Sequence, residues 1–407
     1  MSVTAHNRSM IAAHDSLRLA EQDQGVINLD ANANAATTIA VQEAVLAAMR
    51  SGAANPSSGH TLGELGRVIL AQARDAVSAL IEGSTEEGVY FTAGCTEANN
   101  TVLRSVIGRT NATIITSPVE HSSILRPAEA SKYEGVRLCL IEVDENGVVL
   151  IDHLAELLGK AEGEIILSVQ GGNSETGVLQ PISEIAELVA NRSNVLFHSD
   201  VAQAFGKVRL TIGRPYGPDV LTLSGHKIHA PMGIGAVLTA PDERRVRPLI
   251  IGGGQENGRR AGTQALPLIA GLSAAARDRF VAFGRDKERM TALRDRLEYV
   301  LRQRLPDIVV NGSSAPRLPN TSNIRFPGID AIAMLANLDA FGIICSQGSA
   351  CTSGRPEPSH VLTAMGLVES EAFSSVRFSV SPLNTEHQID TAAAIISEVA
   401  RNLRTQL

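Results

Sequence analysis

A chain of 407 residues, 44% hydrophobic and 19% charged, has enough apolar side chain to bury a large core, and its length predicts two domains. A net charge of −7 argues against nucleic acid as the main partner, since such binders usually need a basic stripe, and no direct nucleic-acid contact is expected. No apolar run approaches the roughly 20 residues that span a bilayer, and Met1 to Arg8 lacks the apolar centre of a secretory signal, so no membrane contact and a cytoplasmic location are expected.

Taken in chain order, short apolar runs alternate with amphipathic stretches. A helical pattern over Glu64 to Leu80 precedes a strand at Val89-Tyr90-Phe91-Thr92. Thr92-Ala93-Gly94-Cys95-Thr96-Glu97 then leaves that strand and opens a helix, where backbone N–H groups and the Thr96 hydroxyl form a natural phosphate cup. A second strand, Thr113 to Thr116, is followed by Val119-Glu120-His121-Ser122-Ser123, which sets an imidazole where it could stack on a planar cofactor or move protons. Strands over Val136 to Leu140 and Glu164 to Ser168 and a helix from Ile182 to Asn191 lead to Val195-Leu196-Phe197-His198, with Asp200 at its end. A carboxylate there either caps a helix or pairs with a protonated pyridine nitrogen.

Val220 to Leu223 is the next strand, and Ser224-Gly225-His226-Lys227 follows it directly. An amine held at such an exit can carry an aldehyde cofactor. After a strand at Ile234 to Leu238, the pattern turns helical and charge-rich from Leu272 to Leu305. This predicts a large domain over 30–272 and a smaller α/β domain over 273–407, with residues 1–29 packing on the smaller one. Gly312 to Pro319 reads as a loop.

The four cysteines are too few for a disulfide framework, and no spacing suits a metal, so none is expected. Cys351 stands apart. A thiol kept for packing sits among Val, Leu and Ile, whereas Ser346-Gln347-Gly348-Ser349-Ala350-Cys351-Thr352-Ser353-Gly354 presents it among small polar residues. Singly, Lys227, Asp200, His121 and Thr96 each have an ordinary structural reading. Recurring in order at strand ends, they point to pyridoxal 5'-phosphate bound on a lysine, and the presented thiol then points to sulfur transfer.

The chain resembles the cysteine desulfurases, fold-type I pyridoxal-phosphate enzymes of the class V aminotransferase group that serve iron–sulfur cluster assembly and nitrogenase. The resemblance is carried by Asn55-Pro56-Ser57-Ser58, Gly94 to Asn100, Glu120-His121, Ser224 to Lys227, Gly252 to Glu256, Ala261-Gly262-Thr263 and Gly348 to Cys351. It implies an α/β fold with a mostly parallel sheet wrapped by helices and a smaller α/β C-terminal domain. It also implies roles: Lys227 carrying the cofactor, Asp200 on the pyridine nitrogen, Gln203 on the ring hydroxyl, and His121 stacked on the ring. Cys95, Thr96, Ser224 and His226 would surround the phosphate, with Thr263 reaching the partner subunit's phosphate in a homodimer. Arg377 and Asn34 would bind the L-cysteine substrate, and Cys351 would accept its sulfur for a scaffold or carrier protein.

Three positions depart from the family's pattern. Asn173-Ser174-Glu175 has Ser174 where asparagine is usual near the ring, Cys95 replaces a small residue, and Leu29 to Asn34 looks lengthened. Selenocysteine lyase, another pyridoxal-phosphate-dependent C–S lyase or an aminotransferase are alternatives that need no Cys351. A carrier or scaffold that lost catalysis would not need Lys227, Asp200, His121 and Arg377.

Overall fold

The computed structural model describes residues 25–348 and 357–405. The chain first forms β1 (Ile27–Asn28), α1 (Ile39–Arg50), α2 (Thr61–Ser78), β2 (Ile81–Glu82) and β3 (Val89–Thr92). Next come α3 (Cys95–Leu103), β4 (Thr113–Thr116), α4 (Ser122–Ser131), β5 (Arg137–Leu140) and α5 (Ile151–Lys160). These lead to β6 (Ile165–Ser168), α6 (Ile182–Val189), β7 (Val195–Asp200), β8 (Leu210–Thr211), β9 (Val220–Ser224) and β10 (Gly235–Thr239). The remainder is α7 (Leu266–Arg304), β11 (Val309–Val310), β12 (Thr321–Arg325), α8 (Ala331–Ala340) and β13 (Ile343–Ile344). Last are α9 (His360–Ala364), α10 (Glu369–Phe373), β14 (Ser375–Ser379) and α11 (Glu386–Thr405).

Seven strands form the main sheet in the order β3-β10-β9-β7-β6-β4-β5. All run parallel except β10, which is antiparallel to both β3 and β9. Its reversal follows from chain length: only Gly225 to Ile234 separates β9 from β10, too little for the helical crossover that a parallel neighbour needs. The α/β class read from the sequence is borne out.

Both faces of the sheet are covered, so β3, β4, β6, β7 and β9 are buried along their whole length, while the edge strand β5 is partly exposed. Successive residues enter opposite layers. Val89 and Phe91 pack with Leu70 and Val77 of α2 and with Ile269 and Leu272 of α7, whereas Tyr90 meets Val102 of α3 and Ile124 of α4. Helices α5 and α6 cover Ile115, Leu167 and Phe197. Each fully buried side chain of this size contributes about 1.5–3 kcal/mol, so this two-faced packing fixes the strand ends firmly.

Helix α7 begins at Leu266, earlier than the sequence pattern suggested, because Pro267 is well suited to a first helical turn. Its first half joins the sheet's core, and its second half (Met290, Leu293, Leu297, Leu301) joins a separate cluster with β12, β14, α8 and α11. Residue 272 therefore lies inside a continuous helix. Strand β1 pairs with β13, so Ile27 and Leu29 also belong to that second cluster. Among the described residues no helix is long and apolar enough to cross a membrane.

Candidate active site

Because β3, β4, β6, β7 and β9 are parallel, their carboxyl ends open on one edge of the sheet, where α/β folds place ligands. Asp200 closes β7, and Thr96, His121, Ser174 and Lys227 follow the other ends. The turn after β9 carries Lys227, whose Nζ donates to the backbone carbonyls of Asn32 at 2.6 Å and Ala33 at 2.8 Å. Burial, helped by the positive charge of Arg377, pulls this amine down to about 8. A lysine so placed gives up its proton far more readily than a surface lysine.

The Asn32 carbonyl also accepts from Gln203 Nε2 at 3.0 Å, which brings Gln203 beside Lys227. Behind it, Lys207 Nζ donates to Gln203 Oε1 at 3.1 Å, and burial lowers this second amine to about 7. Asn32 is buried, and its Nδ2 donates to the Ser174 carbonyl at 3.1 Å and to Thr321 Oγ1 at 2.8 Å. The entry segment thus contributes Asn32 to this cluster, whereas Asn34 lies in the adjoining turn, its N–H on the Asp30 carbonyl.

Arg377 reaches the same place from β14. Its Nη2 pairs with Asp30 at 2.5 Å, its Nη1 donates to the Ser174 carbonyl at 3.2 Å, and its buried Nε has no partner among the described residues. A fixed guanidinium with a spare donor suits a carboxylate. Both contacts at position 174 use the backbone, so Ser174→Asn should leave them intact. Its turnover is expected within about threefold of the parent, and a loss beyond about 100-fold, roughly 2.7 kcal/mol, would show a pocket tuned to serine.

Asp200 is buried at the end of β7, its Oδ1 accepting the Ala202 N–H at 2.9 Å and its Oδ2 accepting from Asn99 Nδ2 at 2.7 Å. Cys95 lies against it, Sγ to Oδ1 at 3.5 Å. Burial and then the Asp200 charge push this thiol well above its usual range, which makes it a donor and not a nucleophile. His121 caps α4, Nδ1 accepting the Ser123 N–H at 3.1 Å, and desolvation lowers its basicity.

Helix α3 begins at Cys95 with no side-chain cap on its first N–H groups, and a Cβ added at Gly94 would meet nothing within 4 Å. Gly235 of β10 crosses so close to Gly94 that a Cβ there would stand 2.7 Å from the Gly94 carbonyl carbon. Ser224 Oγ sits 2.9 Å from His226 Nδ1, and burial and the Lys227 charge bring His226 down to about 4, so it is neutral. Thr263 is exposed and lines a cavity of about 130 Å³ with Thr92, Ala93, Arg260 and Gly262. Uncapped helix N–H groups, two hydroxyls, a depressed lysine and a buried carboxylate together fit pyridoxal phosphate.

Cys351 lies outside the described residues. Cys345, just past β13, is partly buried, and burial pushes its thiol up to about 12. Sequence reading found the residues at strand ends but missed Asn32, Asn99, Lys207 and Asp30. Asn99 stands inside a quoted motif, one turn into α3, where its spacing is that of any buried helix residue.

Residues 27–391 match the aminotransferase class-V family. The chain is 41% identical over 383 residues to a cysteine desulfurase of Nostoc sp. (strain PCC 7120), covering 93% of this chain and 94% of the relative. It is 37% identical over 380 residues to the cysteine desulfurase NifS of Azotobacter vinelandii, with 93% of both covered. Among solved structures, a NifS-like protein from Rickettsia africae superposes with a TM-score of 0.82 at 32% identity, covering 92% of this chain and 99% of that one. A further NifS-like protein gives a TM-score of 0.84 at 28% identity, with 93% and 100% covered.

Proposed function

The chain belongs to the aminotransferase class-V family and is a pyridoxal-phosphate-dependent cysteine desulfurase, and from that premise we propose that Lys227, His121 and Cys351 carry its catalysis. The observation that carries this reading is the depressed amine of Lys227, which shares the Asn32 carbonyl with Gln203 on the sheet edge that also bears Asp200. Asp200 would hold the ring nitrogen and Gln203 the ring oxygen. Thr96, Ser224 and His226, with the α3 N–H groups beside Cys95, would hold the phosphate.

When bound, the cofactor supplies an electron sink that loosens the α-hydrogen and the Cβ–S bond of an amino acid. Arg377, anchored by Asp30, would orient the carboxylate of L-cysteine, with Ser174 and Asn34 nearby. Lys227 would take the α-hydrogen once its amine is free, and His121 would hand a proton to the departing carbon skeleton. The Cys351 thiolate would attack the substrate sulfur: an S–S bond forms, the Cβ–S bond breaks with its electron pair going to the carbon skeleton, Cβ takes the one proton that completes alanine, and the persulfide remains on Cys351. In this division residues 30–272 hold the cofactor, and 273–407 deliver the thiol.

The persulfide would pass to a scaffold or carrier protein, in iron–sulfur cluster assembly as the NifS relatives' names suggest, in a reducing cytoplasmic setting where four thiols persist. The primary test is alanine release from L-cysteine by protein carrying the visible absorbance of bound cofactor. No alanine from such protein would overturn the reading.

Thr263 bears on assembly. We propose that it reaches the partner subunit's phosphate, so cofactor retention should follow dimerisation. Mixing dilution with sedimentation, the expected result is loss of cofactor as dimer dissociates. A monomer that keeps full activity at assay concentration refutes this role.

A further inference from the structure

Buried polar groups in this site form one chain whose hydrogen-bond directions can be worked out. Its starting point is a backbone N–H, which can only donate: that of Ser123, on Nδ1 of His121 at 3.1 Å. Nδ1 is therefore an acceptor, and Ser123 Oγ, 2.8 Å from the same nitrogen, must donate to it. With its hydrogen committed, Ser123 Oγ has to accept from Asn99, whose Nδ2 lies 2.8 Å away. The other hydrogen of Nδ2 goes to Asp200 Oδ2 at 2.7 Å.

The far end of the amide is equally determined. Asn99 Oδ1 accepts from the Thr222 hydroxyl at 2.5 Å and faces the Cys95 thiol at 3.7 Å. Thr222 Oγ1 must then accept from His198 Nε2, 2.9 Å away, and His198 Nδ1 accepts from Ser168 Oγ at 2.9 Å. Burial holds His198 down at about 4, in keeping with a neutral ring. Asn99 is wholly buried, both its hydrogens are used, and its Oδ1 accepts from Thr222.

We propose that Asn99 is a positioning residue that ties Asp200 to His121, orienting the carboxylate for the ring nitrogen and obliging the imidazole to carry its hydrogen on Nε2. His121 thereby enters the reaction as a proton donor at Nε2, on the far edge of the ring from this network, and the base for the α-hydrogen is Lys227. The charged or titratable groups acting on the imidazole are Asp200, Lys227 and His360. Among the described residues none of them supplies the Nδ1 contacts, which come from Ser123.

This inference rests on the desulfurase reading for the roles of Asp200 and His121, but its test separates the two. In cofactor-free protein labelled with ¹⁵N-histidine, His121 (assigned by loss of its signals in His121→Gln) should show a protonated Nε2 and bare Nδ1 near neutral pH. A protonated Nδ1 overturns the proposal without touching the desulfurase assignment. In loaded protein, Asn99→Asp removes both N–H donors and sets a carboxyl group against Asp200. The pH midpoint of the cofactor's visible absorbance should move, and kcat should fall roughly 10- to 100-fold with KM little changed. Ser123→Ala cuts only the His121 branch: the absorbance titration should match the parent while kcat falls by about tenfold. An Asn99→Asp titration superimposable on the parent's, or parental kcat in Ser123→Ala, refutes the coupling. A parent protein that binds no cofactor would instead defeat the functional reading.

Discussion

Lys227→Ala is expected to abolish alanine formation from L-cysteine, with a loss of about 10³-fold or more, and to remove the absorbance of lysine-bound cofactor. The fold should survive, because the two carbonyls that lose the amine are not left stranded: Asn32 keeps its contact with Gln203, and Ala33 is exposed to water. Among the described residues Lys207 is the nearby buried amine that could compete. It is tied to Gln203 Oε1 at 3.1 Å, with Asn32 Oδ1 a further 3.5 Å contact, behind the residues that face Lys227. Peptide mapping after borohydride reduction of the parent should put the cofactor on Lys227. A Lys227→Ala protein that still forms the lysine-bound species and releases alanine would show the assignment to be wrong.

Cys351→Ser should separate sulfur transfer from other chemistry on the same cofactor. Lys227, Asp200 and Arg377 are untouched, so the variant is expected to bind pyridoxal phosphate and respond spectrally to L-cysteine. Alanine release should drop by about 10³-fold or more, since a hydroxyl cannot accept the sulfur at neutral pH. The other thiols near the site offer no rescue. Cys345 is pushed up to about 12, and Cys95 is raised well above its normal range by burial and by Asp200, and the thiolate is the reactive form. Mass spectrometry after brief exposure to L-cysteine should find persulfide on Cys351. Persulfide on Cys95 or Cys345, or parental turnover by Cys351→Ser, would favour a thiol-independent C–S lyase such as a selenocysteine lyase.

Much of the site was legible because its residues interrupt apolar runs. Lys227, Asp200 and His121 stand at or a few residues past the ends of strands buried on both faces, and a short apolar run giving way to such polar groups shows in one dimension. The order of those strand ends, with the turn opening α3, was enough to bring out a lysine-bound cofactor and an α/β fold. Cys351 was legible for the opposite reason, a thiol among small polar residues where packing would not have kept it.

Other features depended on partners far apart in the chain. Asn32 meets Gln203 across 171 positions and Lys227 across 195, so nothing local marked Asn32, and the resemblance named Asn34. Asn99 has the periodicity of an ordinary buried helix residue, and only its contacts with Ser123, Asp200 and Thr222 reveal it as a hub. The depressed amines of Lys207 and Lys227 arise from desolvation, which exists only once the sheet, α7 and the entry segment close around them. Sequence by itself determined which chemical groups stand at the strand ends, because an apolar run and the polar residues that end it are adjacent along the chain. Tertiary structure alone decided how those groups are held and which way their hydrogens point, because a buried polar group takes its direction from whatever donor or acceptor folding brings within 3 Å or so.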